Sequence, residues 1–133
     1  MQSWEKYTPQ MLSILRIVTC LIFILHATQK LWGFPGPPAS GKLPDAMTLS
    51  WFAAMIEITL GPLLLVGIFT RWCAFILSGE MAFAYWIGHF PRNFWPILNQ
   101  GDAAILYCFI CLFIACAGVG AWGLDRSLRG TGG

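Results

Sequence analysis

Four long apolar runs, roughly residues 11–32, 47–69, 72–90 and 103–119, make up most of the chain, and ionisable residues sit inside them. Arg16, His26, Glu57 and Glu80 fall within the runs, while Lys30 and Asp102 lie near their ends. Each run approaches the ~20 residues needed to cross a hydrocarbon layer ~30 Å thick. Lipid supplies no hydrogen-bond partners to a backbone, so runs of this kind predict helices rather than strands. A charged side chain at the centre of such a helix costs roughly 2.5–3.5 kcal/mol on insertion scales. Several of them facing lipid would consume about as much free energy as a whole domain's stability of roughly 5–15 kcal/mol. These groups must therefore face inward, pair or lose their charge. The predicted fold is all-α: an integral membrane four-helix bundle, a single domain over residues 1–133, with both termini on the same side.

Composition supports this and excludes other classes. The chain is 57% hydrophobic and 11% charged, against roughly 25% charged residues in ordinary soluble domains. A net charge of +2 and the absence of a basic stripe with interleaved aromatics argue against a nucleic-acid partner. Seven tryptophans and ten phenylalanines suit a membrane environment, because amphipathic rings favour the headgroup zone. Cys20, Cys73, Cys108, Cys111 and Cys116 all lie in apolar runs. The Cys108-x-x-Cys111 pair therefore reads as packing residues rather than a redox motif. His26, His89 and Asp102 lack tight ligand spacing, so no metal site is expected. The start of the chain has a basic residue before an apolar run but no convincing cleavage site, and reads as a retained first span.

The connections set the topology. Pro35, Pro37, Pro38 and Pro44 forbid helix between the first two runs. The link around Thr70 and Arg71 is so short that the second and third spans must be antiparallel neighbours. Lys6, Arg16, Arg71, Arg126 and Arg129 gather toward the end that holds both termini, and Lys30, Lys42 and Arg92 toward the other. The positive-inside rule then makes the terminal side cytoplasmic in a multi-pass inner-membrane protein. The tail from Gly120 reads as a short amphipathic end that frays.

At ~1.5 Å per residue, Arg16 comes level with Glu80 and not far from Glu57, which suggests an internal ion pair among Arg16, Glu57 and Glu80. At the opposite end His26, Gln29 and Lys30 share one helix face by their spacing. His89, Arg92, Asn99 and Asp102 reach the same level beneath an aromatic lid that includes Trp95. Two histidines able to exchange protons near neutrality, with amide and charged donors around them, suit a polar ring bearing two oxygens. Each of these residues also has an ordinary structural reading. Lys30 can snorkel, Arg92 can anchor at headgroups, and Asn99 or Asp102 can cap the last span. His89 lies nine positions past Glu80, on the opposite face of an ideal helix, so the two are not expected to act together within one subunit.

Several stretches match a known pattern in order and spacing: Leu15-Arg16-Ile17, His26-Ala-Thr-Gln29-Lys30-Leu-Trp-Gly33, Glu57-Ile-Thr-Leu-Gly61, Glu80-Met81, and Phe94-Trp95-Pro96-Ile-Leu-Asn99-Gln-Gly101-Asp102. Through them the chain resembles the DoxX family of small membrane proteins over nearly its whole length. It departs from the pattern at Asp102, where the family usually has Glu, and near Gly123, where it has Ser. The family is similar to the small membrane subunit of a thiosulfate:quinone oxidoreductase. The resemblance therefore implies a membrane subunit of a quinone-linked oxidoreductase system, with no redox centre of its own. Its expected ligand is a quinone or quinol, with nothing bound covalently. Its expected surroundings are membrane lipid and the quinone pool, with a homo-oligomer or a soluble redox partner beside it. Two other classes fit the residues: an oligomeric transporter of a small solute or protons, and an assembly or scaffold subunit.

Overall fold

The structure, a computed structural model, describes residues 3–130, and all regular structure among them is helical. A 3-10 turn at Trp4–Tyr7 leads into α1 (Thr8–Trp32), followed by α2 (Leu49–Val66) and α3 (Thr70–Ala84). A π-helical turn, Tyr85–His89, and a 3-10 turn, Phe90–Arg92, prolong α3. A single turn of helix, α4 (Pro96–Asn99), then precedes α5 (Asp102–Ala117) and α6 (Leu124–Gly130). Trp4–Trp32 and Leu49–Val66 are long and apolar enough to cross a membrane, and Asp102–Ala117 is a shorter apolar helix.

The boundaries follow from local chemistry. Pro9 sits in the first turn of α1, where its missing N–H is not needed. Gly33 ends that helix in the left-handed region, its N–H bonded back to Gln29 and Thr28. Thr48 Oγ1 accepts the N–H of Trp51 and caps α2. The turn Gly67–Phe69 reverses the chain, with Gly67 at φ 78° and Phe69 at φ 49°.

Helix α1 packs along α2, and α3 along α5; the two pairs meet mainly where α2 faces α3. Small residues permit the approach. An added Cβ at Gly61 would lie 3.0 Å from Ile24 Cγ1, and Ser78 Oγ donates to the Cys108 carbonyl at 2.7 Å, joining α3 to α5. The core comprises Cys20, Phe23, Leu64, Cys73, Ala74, Leu77, Met81, Cys111 and Ile114. Large apolar side chains such as Phe75, Phe83, Trp86, Phe109 and Phe113 cover the outside, each more than half exposed. The buried class instead includes Arg16 and Glu57, each 1% exposed. Within the long apolar helices the charges turn inward and the hydrocarbon faces out.

Candidate functional site: a cleft between α2 and α3

Three ionisable side chains from three helices meet inside the molecule. Lys30 Nζ donates to both carboxyl oxygens of Glu57, at 2.8 and 3.1 Å. Glu80, on α3, interacts electrostatically with Glu57 and Lys30. Neither of its buried carboxyl oxygens takes a hydrogen bond from a lysine, amide or hydroxyl group; the neighbouring Glu57 carboxyl is the group with which it can share a proton. A buried acceptor in that state costs free energy that a bound donor, or a proton, would recover.

Glu80 borders a cleft of about 590 Å³ between α2 and α3, its carboxyl oxygens buried behind the cleft wall. Phe52, Ala53 and Ile56 form one wall, and Ile76, Phe83 and Ile87 the other. Gly79 adds no side chain, and nothing lies within 4 Å of where its Cβ would be. The polar groups are few: Lys30, Ser50, Glu80, His89 and Arg92. An apolar cleft with a handful of convergent polar groups is the usual form of a small-molecule site.

His89 reaches this cleft because the helix changes period. The π turn winds more residues into each turn than an α-helix does, so the 180° separation expected of Glu80 and His89 is lost and both line one space. The Nδ1 of His89 lies 3.0 Å from the Asn99 carbonyl oxygen. A carbonyl only accepts, so Nδ1 carries the proton there and Nε2 is left to take or give one.

Several expectations need correction. Arg16 does not pair with Glu57 or Glu80. Its Nη1 donates to the carbonyls of Leu64 (2.6 Å) and Leu65 (2.5 Å), its Nε to Val119 (3.2 Å) and its Nη2 to Trp122. Leu64 and Leu65 belong to the last turn of α2, whose carbonyls lack intrahelical donors. Val119 and Trp122 lie in the irregular stretch after α5, and the guanidinium's five N–H groups fit all four acceptors at once. Glu57 takes Lys30 instead, because the long lysine stem can run along the interior to reach it.

The polar cluster expected around His26 is also divided. His26 is exposed and sits edge-on to Tyr107, 6.5 Å between ring centres, away from the cleft lining. Gln29 donates to the Pro37 carbonyl in the proline-rich connection. Asn99 is 1% exposed and holds the turn before α5, donating to the Asn93 carbonyl and accepting the Gly101 N–H. Asp102 opens α5 as its first-turn acid without making a cap bond, and Trp95 is 61% exposed. Of the residues singled out at that end, Lys30, His89 and Arg92 line the cleft, and Glu80 joins them.

Over its described residues, 120–130, the tail is tied back onto the helices rather than frayed, and residues 131–133 of that stretch lie outside the described residues. Trp122 N–H donates to Ser13 Oγ, Ala121 N–H to the Pro9 carbonyl, and Asp125 N–H to the Gly67 carbonyl. A Cβ at Gly120 would lie 2.4 Å from Ser13 Oγ, so only glycine fits there. This clamp was hidden because its donors and acceptors are largely backbone. Its one sequence signal is the glycine spacing, Gly118, Gly120 and Gly123.

The fold and cleft define a class: a small all-helical protein with an apolar exterior, an internal lysine–carboxylate cluster and a lateral cleft. The DoxX family profile matches residues 11–90, and the chain belongs to the DoxX family of membrane proteins. It is 44% identical over 131 residues to an uncharacterised protein of Haemophilus influenzae, covering 95% of this chain and 96% of that one. It is 30% identical over 133 residues to the inner membrane protein YphA of Escherichia coli, covering 89% and 90%. No solved structure matches the chain.

Proposed function

We propose that the protein is a membrane subunit of a quinone-linked oxidoreductase system that holds a quinone, quinol or similar ring in the α2–α3 cleft. The observation that carries this reading is the apolar α2–α3 cleft bordered by Glu80, a buried carboxyl grouped with Lys30 and Glu57, and by His89 and Arg92. The ring would lie between Phe52 and Phe83, with one oxygen toward Glu80 and Lys30. His89 and Arg92 stand at the polar end as further donors. Glu80 and His89 would take up or release protons as the charge on the ring oxygens changes. A redox partner would give two electrons to a bound quinone or take two from a bound quinol, since the chain's own side chains supply no electron carrier.

In this reading α1, α2, the helical stretch from α3 through Arg92, and α5 form a four-helix bundle in the inner membrane, with both termini cytoplasmic. The apolar exterior and the bias of basic residues toward the terminal side support that topology. The printed name of the Escherichia coli relative supports the compartment.

Titration of a short-chain ubiquinol analogue, kept reduced so that its O–H groups can donate to the carboxylate, into detergent-purified protein, followed by tryptophan quenching, tests the reading. Saturable quenching is expected, and Glu80→Gln or His89→Ala should each weaken it about thirtyfold, equivalent to about 2 kcal/mol for a charge-assisted hydrogen bond. Non-saturable quenching, or binding indifferent to both substitutions, refutes it.

A second reading has one observation in its favour, the chain of Lys30, Glu57 and Glu80 inside the bundle, of the kind that marks proton pathways. Proton uptake by sealed vesicles that Glu57→Gln abolishes would select it.

A further inference from the structure

A second cleft lies at the opposite end of the molecule, about 430 Å³, between the starts of α1 and α3 and the segment that follows α5. Three guanidinium groups border it, from Arg71, Arg126 and Arg129. Its single carboxylate, Asp125, is already committed. Oδ1 accepts the Phe69 N–H at 3.0 Å and Oδ2 the Thr70 N–H at 2.8 Å. Arg71 spends Nη1 on the carbonyls of Ala115 (2.8 Å) and Cys116 (2.5 Å), which anchors its guanidinium at the rim. Arg126 and Arg129 are exposed and lie three residues apart on α6, so they share a face. The remaining wall is apolar, with Leu12, Pro9 and Val119.

A surplus of positive charge calls for an anion, and guanidinium groups bind phosphate oxygens well. A hydrocarbon wall beside them calls for an anion that carries hydrocarbon. The cleft sits where the helices would leave the bilayer. We propose that it binds the headgroup phosphate of an anionic phospholipid, with the upper acyl chain against Leu12 and Val119. A zwitterionic headgroup brings its own ammonium to the arginines and fits less well. The inference rests on the membrane-spanning reading but not on the quinone cleft.

Short-chain phosphatidylglycerol, phosphatidylcholine of the same acyl length, and inorganic phosphate are titrated separately into the purified full-length chain, and bound ligand is counted by native mass spectrometry. Phosphatidylglycerol should bind at least tenfold more tightly than phosphatidylcholine, and phosphate should show no comparable binding. Each arginine near the surface contributes roughly a fivefold factor, so R126Q/R129Q should weaken phosphatidylglycerol about thirtyfold. Lys42→Gln, in the loop at the other end, should leave it unchanged. If the double variant fails to fold, Arg126→Gln alone carries the test with a roughly fivefold loss. Equal affinity for the two lipids, undiminished binding in the arginine variants, or phosphate binding as tight as the lipid's overturns the site. Alkaline carbonate extraction separates the two failures. Protein that stays with the membrane yet shows no headgroup preference refutes this cleft alone, whereas protein released by carbonate refutes the spanning topology.

Discussion

Lys30 and Glu57 carry unequal burdens. The Glu57 side chain is 1% exposed and that of Lys30 25%, so an abandoned lysine can lean toward water while an abandoned carboxylate cannot. A deserted Lys30 also has Glu80 as a second carboxylate within its electrostatic reach. Breaking a buried pair by removing one partner costs roughly 3–5 kcal/mol when the other is left uncompensated. Lys30→Met should therefore cost about 3 kcal/mol and Glu57→Gln about 1 kcal/mol, read from denaturant unfolding in detergent. Equal costs would mean that Lys30 is as trapped as its partner. That these charges face inward was legible from the apolar runs alone, because lipid cannot solvate them. Which charge meets which was not, because it depends on helix rotation and on the reach of individual stems. Depth along the axis places Arg16 near the carboxylates, but its donors go to carbonyls at the end of α2 and in the turn after α5, which depth alone does not locate.

Elements are fastened here by groups distant in sequence. Asp125 supplies the cap for α3 by accepting the Phe69 and Thr70 N–H groups, a task the left-handed Phe69 cannot perform for itself. Burial alone would raise the Asp125 carboxyl, but hydrogen bonds from Thr70 and Phe69, with the charge of Arg129 nearby, outweigh it and hold the group below its ordinary value of 3.8. A lowered folded-state value means that the stabilisation is complete above that ordinary value and fades as pH falls through the folded one. Asp125→Ala should cost about 1 kcal/mol at neutral pH, the usual worth of a cap. The melting difference from the native protein should close as pH drops below 3.8. A gap constant down to pH ~3 would deny the carboxylate this role.

Glycine carries the neighbouring clamp. Gly120 has φ 83°, and an added Cβ would meet Ser13 Oγ at 2.4 Å and the Pro9 carbonyl at 2.7 Å. Gly120→Ala combines backbone strain with overpacking and should cost about 2–4 kcal/mol, whereas Gly79→Ala, in open space, should be nearly neutral. Similar melting temperatures for the two would contradict the clamp. At this scale the long helices were readable from the length of the apolar runs and proline placement. The π turn was not, since a reading that assumes 3.6 residues per turn has no signal for a change of period. The separation of Glu80 from His89 failed for that reason.

Along the long apolar helices polarity is inverted relative to a water-soluble domain: the Lys30–Glu57 pair and Arg16 inside, aromatic rings outside. That inversion was visible in the composition, 57% hydrophobic with few charges, and so was the all-helical class. The cleft was only half visible. Lys30, His89 and Arg92 were named for it, but the sequence also gathered His26, Gln29, Asn99 and Asp102 to the same level, and shared depth does not make a shared face. With four spans, reporter fusions at the two termini should report the same side of the membrane; opposite sides would mean an odd number of crossings.

The most direct measurement is photo-crosslinking of full-length protein in membranes with an azido-substituted quinol analogue kept reduced, followed by peptide mapping. Occupancy of the cleft predicts label on the α2 and α3 peptides carrying Phe52, Ile56 and Phe83, competed by unlabelled analogue and lost in Glu80→Gln. Label on the α1 and α5 surface around His26 and Tyr107, or label that no competitor displaces, would contradict it.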